Sequence, residues 1–129
     1  MNQPTSLVTG AAGFSGAWLV HELLKSGHRV IGLDRAPAIA NSARRAHLHA
    51  LGFDEANPRL QYIAGDLNDA ASLEPLKALK VDFFFHTASL YDYSADAETL
   101  TRINVGGTQN LLAIAPELKL KHFIHWSTC

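Results

Sequence analysis

The run Thr9-Gly10-Ala11-Ala12-Gly13-Phe14-Ser15-Gly16 is the stretch of this chain best equipped to do chemistry. A nucleotide pyrophosphate needs backbone N–H groups at close range and no side chain in the way. Glycines in a turn that opens a helix supply both, and the helix dipole favours the negative charge. The apolar Ser6-Leu7-Val8 before the run reads as a buried strand. After it, Leu19/Leu23 and Val20/Leu24 recur at helical spacing. A tight strand–helix turn needs glycine for steric reasons alone, so the run carries weight only where other features agree with it.

Three do. The apolar segment Arg29-Val30-Ile31-Gly32-Leu33 ends in Asp34, eighteen residues after Gly16. That is where a dinucleotide fold places the acid that accepts hydrogen bonds from a ribose diol. Arg35 follows it, and a guanidinium can pair bidentately with a 2′-phosphate. A third segment, Leu60 to Ala64, runs into Gly65-Asp66-Leu67, and a fourth, Val81 to Phe85, into His86-Thr87-Ala88-Ser89. In an open parallel sheet ligands lie beyond the carboxyl ends of the strands, so these ends face one crevice. Blander readings stand beside these: Asp66 as a turn cap, and His86 as a packed, hydrogen-bonded side chain rather than a proton shuttle.

The elements that must position these residues alternate. Strands are expected near 5–9, 29–33, 60–64, 82–86 and 122–127, and helices near 14–26, 39–51, 69–79 and 96–115. Gly27 and Gly52 are placed to end the first two helices, and Asp69 to cap the third, with Pro75 an awkward interior residue. The second helix has only a weak apolar stripe. Such alternation implies an α/β fold, a Rossmann-type doubly wound parallel sheet of order 3-2-1-4-5. Residues 1–129 form one domain, expected to be truncated after the fifth strand, whose outer edge then lacks its neighbour.

Composition narrows the function. Eleven basic against twelve acidic residues give no electrostatic footprint for nucleic acid or an anionic membrane. Arg44-Arg45, the one basic cluster, reads as a solvated helix face. No apolar run approaches the ~20 residues a membrane span needs. The single cysteine, Cys129, fits a reducing, cytoplasmic setting. Seven histidines raise the question of a metal, but His47/His49 and His122/His125 are spaced to point to different faces, so no metal site is expected.

With these motifs in order, the chain resembles the extended short-chain dehydrogenase/reductase family, the group of NAD-dependent epimerases and dehydratases. The resemblance covers the whole chain and corresponds to the family's N-terminal, cofactor-binding part. It rests on the glycine run, Asp34, Gly65-Asp66-Leu67, Val81-Asp82 through Ser89, Asn104-Val105-Gly106-Gly107-Thr108 and Phe123-Ile124-His125-Trp126-Ser127-Thr128. It implies that Gly10, Gly13 and Gly16 shape the pyrophosphate turn and that Phe14 and Ser15 lie over the pyrophosphate. Asp66 would accept from the adenine amino group, with Leu67 near that ring. Thr87, Ala88 and Ser89 would line the nicotinamide ribose, and Asn104 would sit beneath the sheet end. Thr128 matches a hydroxyl that bonds a substrate oxygen, with Ser127 beside it.

The family's proton donor is a tyrosine with a lysine four positions later. Here Tyr62, Tyr91 and Tyr93 are followed at that spacing by Asp66, Ala95 and Ala97. The pair is expected beyond Cys129, and the 129 residues alone are expected to be inactive. The resemblance thus implies the cofactor-binding part of an enzyme that transfers hydride, with a sugar nucleotide as the small-molecule substrate and a homodimer as the assembly. NAD is expected over NADP, because the charge of Asp34 repels a 2′-phosphate. A dinucleotide-binding sensor without catalysis is the alternative, and Tyr-x-x-x-Lys downstream would decide for the enzyme.

Overall fold

A computed structural model describes residues 3–88 and 94–126. Its centre is a five-stranded sheet, entirely parallel, in the order β3-β2-β1-β4-β5. The strands are β1 (Thr5–Thr9), β2 (Arg29–Asp34), β3 (Leu60–Ala64), β4 (Phe83–His86) and β5 (His122–His125). Parallel strands need crossovers, and the crossovers cover both faces of the sheet. Successive side chains therefore enter different cores. Leu7 belongs to one, with Leu73, Leu76, Phe84 and Leu111. Its neighbour Val8 belongs to the other, with Val20, Leu24, Val30 and Leu48. Each of these side chains is at most 5% exposed, so each contributes roughly 1.5–3 kcal/mol by leaving water.

The first helix, α1 (Phe14–Lys25), is as the spacing implies: Val20, Leu23 and Leu24 are buried, and Gly27 follows with φ +90°. Gly52 likewise has positive φ, +94°. The expected second helix is instead three short pieces. They are α2 (Ala36–Ala40), a 3-10 turn Ser42–Arg45 and α3 (Ala46–His49). The reason lies in one residue. Arg45 was expected on a solvated face, but it is 1% exposed. Its guanidinium donates to the carbonyls of Ala38 (3.1 Å), Ile39 (2.8 Å) and Asn41 (3.4 Å). The Ile39 and Asn41 carbonyls are turned to this side chain and the Ala38 carbonyl is shared between it and the Asn41 N–H, so the backbone does not run on as one straight helix.

The third helix is a 3-10 helix, Ala70–Ala78, with Pro75 inside it. Proline donates no N–H and crowds the preceding turn, which disfavours the α form. Asp69 caps it as anticipated, accepting from the Ala71 N–H at 3.2 Å. The fourth is α4 (Ala97–Leu100), a π-helical segment Thr101–Gly106, α5 (Gly107–Ile114) and a closing 3-10 turn Ala115–Leu118. Gly107 lies so near Leu67 that a Cβ there would come within 3.0 Å of the leucine Cβ. β5 is shorter than expected. It ends at His125, and the Trp126 N–H donates to the His86 carbonyl at 3.0 Å. The expected continuation at Ser127 lies outside the described residues.

Candidate functional site

Beyond the C-terminal ends of β1, β2 and β3, and reaching the residues after β4, lies a cleft of about 710 Å³. Its floor is the glycine turn. Gly10 has φ +67°, a left-handed conformation, and a Cβ on it would come 2.9 Å from the Ala88 Cα. At Gly16 a Cβ would come 2.0 Å from the Gly10 carbonyl oxygen. Both glycines are therefore dictated by backbone-to-backbone approach. Helix α1 begins immediately beyond, with no side-chain cap and no acidic residue in its first turn. Its first hydrogen bond runs from Ala17 N–H to Gly13 carbonyl, so the Phe14, Ser15 and Gly16 amides precede the helical ladder. Phe14, Ser15, Gly13 and Gly16 all line the cleft, and Phe14 is 72% exposed there. An uncapped N-terminus of a twelve-residue helix is a site for anions.

Asp34 stands at the end of β2 and is fixed by backbone donors. One oxygen accepts from Ala12 N–H at 3.0 Å, the other from Arg35 N–H at 2.8 Å. Each carboxylate oxygen keeps a further lone pair, so the group is oriented and still able to accept. Asp66 is held similarly after β3, one oxygen accepting from Asn68 N–H at 2.9 Å. The turn-capping reading of Asp66 thus holds, and the residue also lines the cleft. Leu67 lines it too, and its carbonyl accepts from the Asn110 side chain.

On the opposite wall Thr87 and Ala88 follow β4. The Thr87 hydroxyl donates to the Thr9 carbonyl at 2.6 Å, which turns it inward. The Thr87 and Ala88 amides both donate to the Thr9 hydroxyl, at 3.2 and 3.3 Å. With both lone pairs taken, that hydroxyl has only its proton to offer His86 Nδ1, 2.7 Å away. His86 therefore carries its own proton on Nε2, donating to the Thr108 hydroxyl at 2.8 Å, which in turn donates to the Asn104 carbonyl at 2.7 Å. One ordered chain of bonds links β1, β4 and the helix, and it requires a neutral imidazole. Burial, with His125 stacked at 5.0 Å, lowers the His86 pKa to about 4. His86 is a packed, bonded side chain, as its blander reading held.

The structure thus gathers eleven of the expected cofactor residues around one cleft: Gly10, Gly13, Phe14, Ser15, Gly16, Asp34, Arg35, Asp66, Leu67, Thr87 and Ala88. Asn104 is not in the lining. It lies in the π-helical segment, one residue from Ile103, which is. Ser89, Ser127 and Thr128 lie outside the described residues. Two arginines not expected at the site border the cleft: Arg44, which was read as part of a solvated helix face, and Arg102. Nothing in the spacing of Arg44 marks it, because the broken helix that aims it arises from Arg45. Among the described residues no cluster of histidine, cysteine and acidic side chains is arranged to hold a metal. No helix among them is long and apolar enough to cross a membrane.

The NAD dependent epimerase/dehydratase family has a sequence model that matches residues 6–129. The chain belongs to that family. Across 129 aligned residues it is 33% identical to a 3 beta-hydroxysteroid dehydrogenase/Delta 5-->4-isomerase of Mycobacterium tuberculosis, covering 95% of this chain and 31% of that protein. It is 37% identical to a dTDP-glucose 4,6-dehydratase of Streptomyces antibioticus, covering 95% of this chain and 36% of the relative. It thus spans about a third of the length of the curated relatives it matches. Among solved structures, the Bordetella bronchiseptica enzyme WbmH in complex with NAD+ superposes with a TM-score of 0.73 at 28% identity, over 95% of this chain and 38% of that one. Membership of this family agrees with the resemblance drawn from the motifs, and the sheet order agrees with the fold drawn from the alternation.

Proposed function

We propose that this chain is the cofactor-binding part of an NAD-dependent epimerase, dehydratase or related reductase and that it binds NAD across the ends of β1, β2, β3 and β4. The carrying observation is the uncapped start of α1 opening onto the same cleft as the fixed carboxylate of Asp34. The residues present suit a dinucleotide. Gly10 and Gly16 let the turn close where any Cβ would collide with backbone, and the amides that precede the helical ladder belong to residues that line the cleft. NAD, when bound, supplies the hydride chemistry of the family. The chain's own residues bind and orient it. The α1 amides take the pyrophosphate, Asp34 the adenosine ribose, Asp66 and Leu67 the adenine, and Thr87, Ala88 and Ser89 the nicotinamide ribose.

The NAD+ complex of WbmH supports the cofactor, and the dTDP-glucose dehydratase supports a sugar-nucleotide substrate. Thr128, with Ser127 beside it, is proposed on the motif as the hydroxyl that faces the substrate, and Asn104 as a support beneath the sheet end. Calorimetric titration with NAD and NADP, with Asp34→Ala alongside, tests the reading. NAD should bind the unmutated protein more tightly, and Asp34→Ala should weaken NAD by roughly 10- to 100-fold, the worth of hydrogen bonds to a charged acceptor. Tighter NADP binding, or an unchanged NAD affinity in the variant, would refute it.

A further inference from the structure

The outer wall of the cleft on the Asp34 side is the segment that begins with α2, and no side chain of that helix is anchored in the core. Helix α2 has five residues, none of them buried. A helix that short has no stability of its own in water. Yet Ala38 on it, Arg35 before it and Arg44 after it all line the cleft. What fixes the segment is Arg45. Its guanidinium reaches three backbone carbonyls of the segment, at Ala38, Ile39 and Asn41. The remaining face of the guanidinium is locked by a bidentate pair with Glu55, at 2.7 and 3.1 Å, and lies over the Tyr62 ring at 5.7 Å. His49 adds a contact to Glu55 at 2.8 Å. A planar fork with five donors can serve a carboxylate and several carbonyls at once, and an ammonium cannot.

We propose that Arg45, anchored by Glu55, is the positioning residue that holds the Ala36–Asn41 segment against the cleft and thereby sets the affinity for the adenosine end of the cofactor. Arg45 touches no ligand. It acts through the carbonyls it binds, which determine where Ala38 and Arg44 stand. The inference rests on the cofactor reading above for its ligand, and on geometry alone for the clamp.

The test uses the intact protein with Arg45→Met, Arg45→Lys and Glu55→Gln. Two readouts are taken at a temperature where each variant is folded: AMP affinity by calorimetry, and amide hydrogen exchange of residues 38–41. Arg45→Met should weaken AMP by about tenfold or more, as expected when a wall held by charge-assisted bonds is released. Exchange at Ala38, Ile39 and Asn41 should rise while Leu7 to Thr9 stay protected. Arg45→Lys keeps the charge but not the fork, so it should fail to restore AMP binding, whereas a role in charge balance alone would be rescued. Should Arg45→Met not fold, Glu55→Gln, which removes the anchor's charge and keeps its shape, should show the same pair of changes in weaker form. Folded variants with wild-type AMP affinity would overturn the inference, as would faster exchange at 38–41 without loss of affinity. A wild type that did not bind AMP would overturn the cofactor reading, while exchange would still decide whether Arg45 holds the wall.

Discussion

Replacing His86 with glutamine should change how the stability of this protein depends on pH, by an amount the structure sets. His86 is 1% exposed, and its ring is bonded at both nitrogens in a pattern that allows no second proton. A proton on Nδ1 would point at a Thr9 hydroxyl whose lone pairs already accept from Thr87 and Ala88. Burial accordingly lowers its pKa from 6.5 to about 4 in the folded state. The unfolded chain then binds more protons than the folded chain between those values, so stability rises with pH across that window. The contribution of the neutral ring is fully present above pH 6.5 and is lost as the pH falls towards about 4.

By linkage the loss reaches about 2 kcal/mol near pH 5 and roughly 3 kcal/mol near pH 4. Glutamine does not titrate. Near pH 7 the variant should be less stable by about 1–3 kcal/mol, for weakened bonds to Thr9 and Thr108. Near pH 5 that gap should have shrunk by about 2 kcal/mol. Urea unfolding of both proteins at the two pH values gives the difference directly, and taking it between the two proteins cancels every other titrating group. Nitrogen chemical shifts of the ring supply an independent check, since the proton should reside on Nε2. A stability gap equal at both pH values, or a proton on Nδ1, would refute the ordered chain of bonds from Thr9 to Asn104.

Two further substitutions probe other links. Gly16→Ala adds a Cβ 2.0 Å from a backbone oxygen, so overpacking of about 1–3 kcal/mol should outweigh the ~1 kcal/mol gained in helix propensity. NAD binding should then fall more than thermal stability does, and a variant with wild-type affinity would mean that α1 can shift without disturbing the pyrophosphate site. Lys119 is exposed, with φ 54° and ψ 49°, at the end of the 3-10 turn Ala115–Leu118. Lys119→Gly should leave ligand binding unchanged and stabilise by up to about 1 kcal/mol, since left-handed backbone is strained for lysine and free for glycine. A lower unfolding midpoint would show that the lysine side chain does more than occupy a turn.

The fold and the floor of the cleft were legible because their determinants are local in sequence. Apolar strands punctuated by Gly10, Asp34, Asp66 and His86 carry their own direction, and a parallel sheet brings such ends together without further instruction. The residues that were misread are those whose fate is decided by polar partners rather than by an apolar period. Arg45 is buried because Glu55 and three carbonyls meet it, and no periodicity announces a cation whose partners are backbone oxygens. The break in the second helix follows from the same contacts. Arg44 and Arg102 could be placed at the cleft only after the path of the broken helix and of the π-helical segment was known. Pro75 marked the third helix as irregular, but that sign pointed to a shorter helix and not to the 3-10 form it takes.

The two walls of the cleft are held by one physical solution. A parallel strand that ends leaves amides and carbonyls without ladder partners, and buried backbone groups must be satisfied by something. After β4 the orphaned amides of Thr87 and Ala88 are taken by a hydroxyl on β1, which His86 orients from below. Beyond β2 the guanidinium of Arg45 ties down a partly exposed segment by donating to the carbonyls of Ala38, Ile39 and Asn41. Each network joins the cleft to the core through a nearly water-free side chain, where a lost bond is expensive and alternative positions are few. Apolar residues could bury as much surface at these places, but they would not supply the bonds to the Thr87 and Ala88 amides and to the α2 carbonyls that hold the walls. Buried polarity here serves position, and a cleft proposed to hold a long, flexible dinucleotide gains from walls that are already fixed before the ligand arrives.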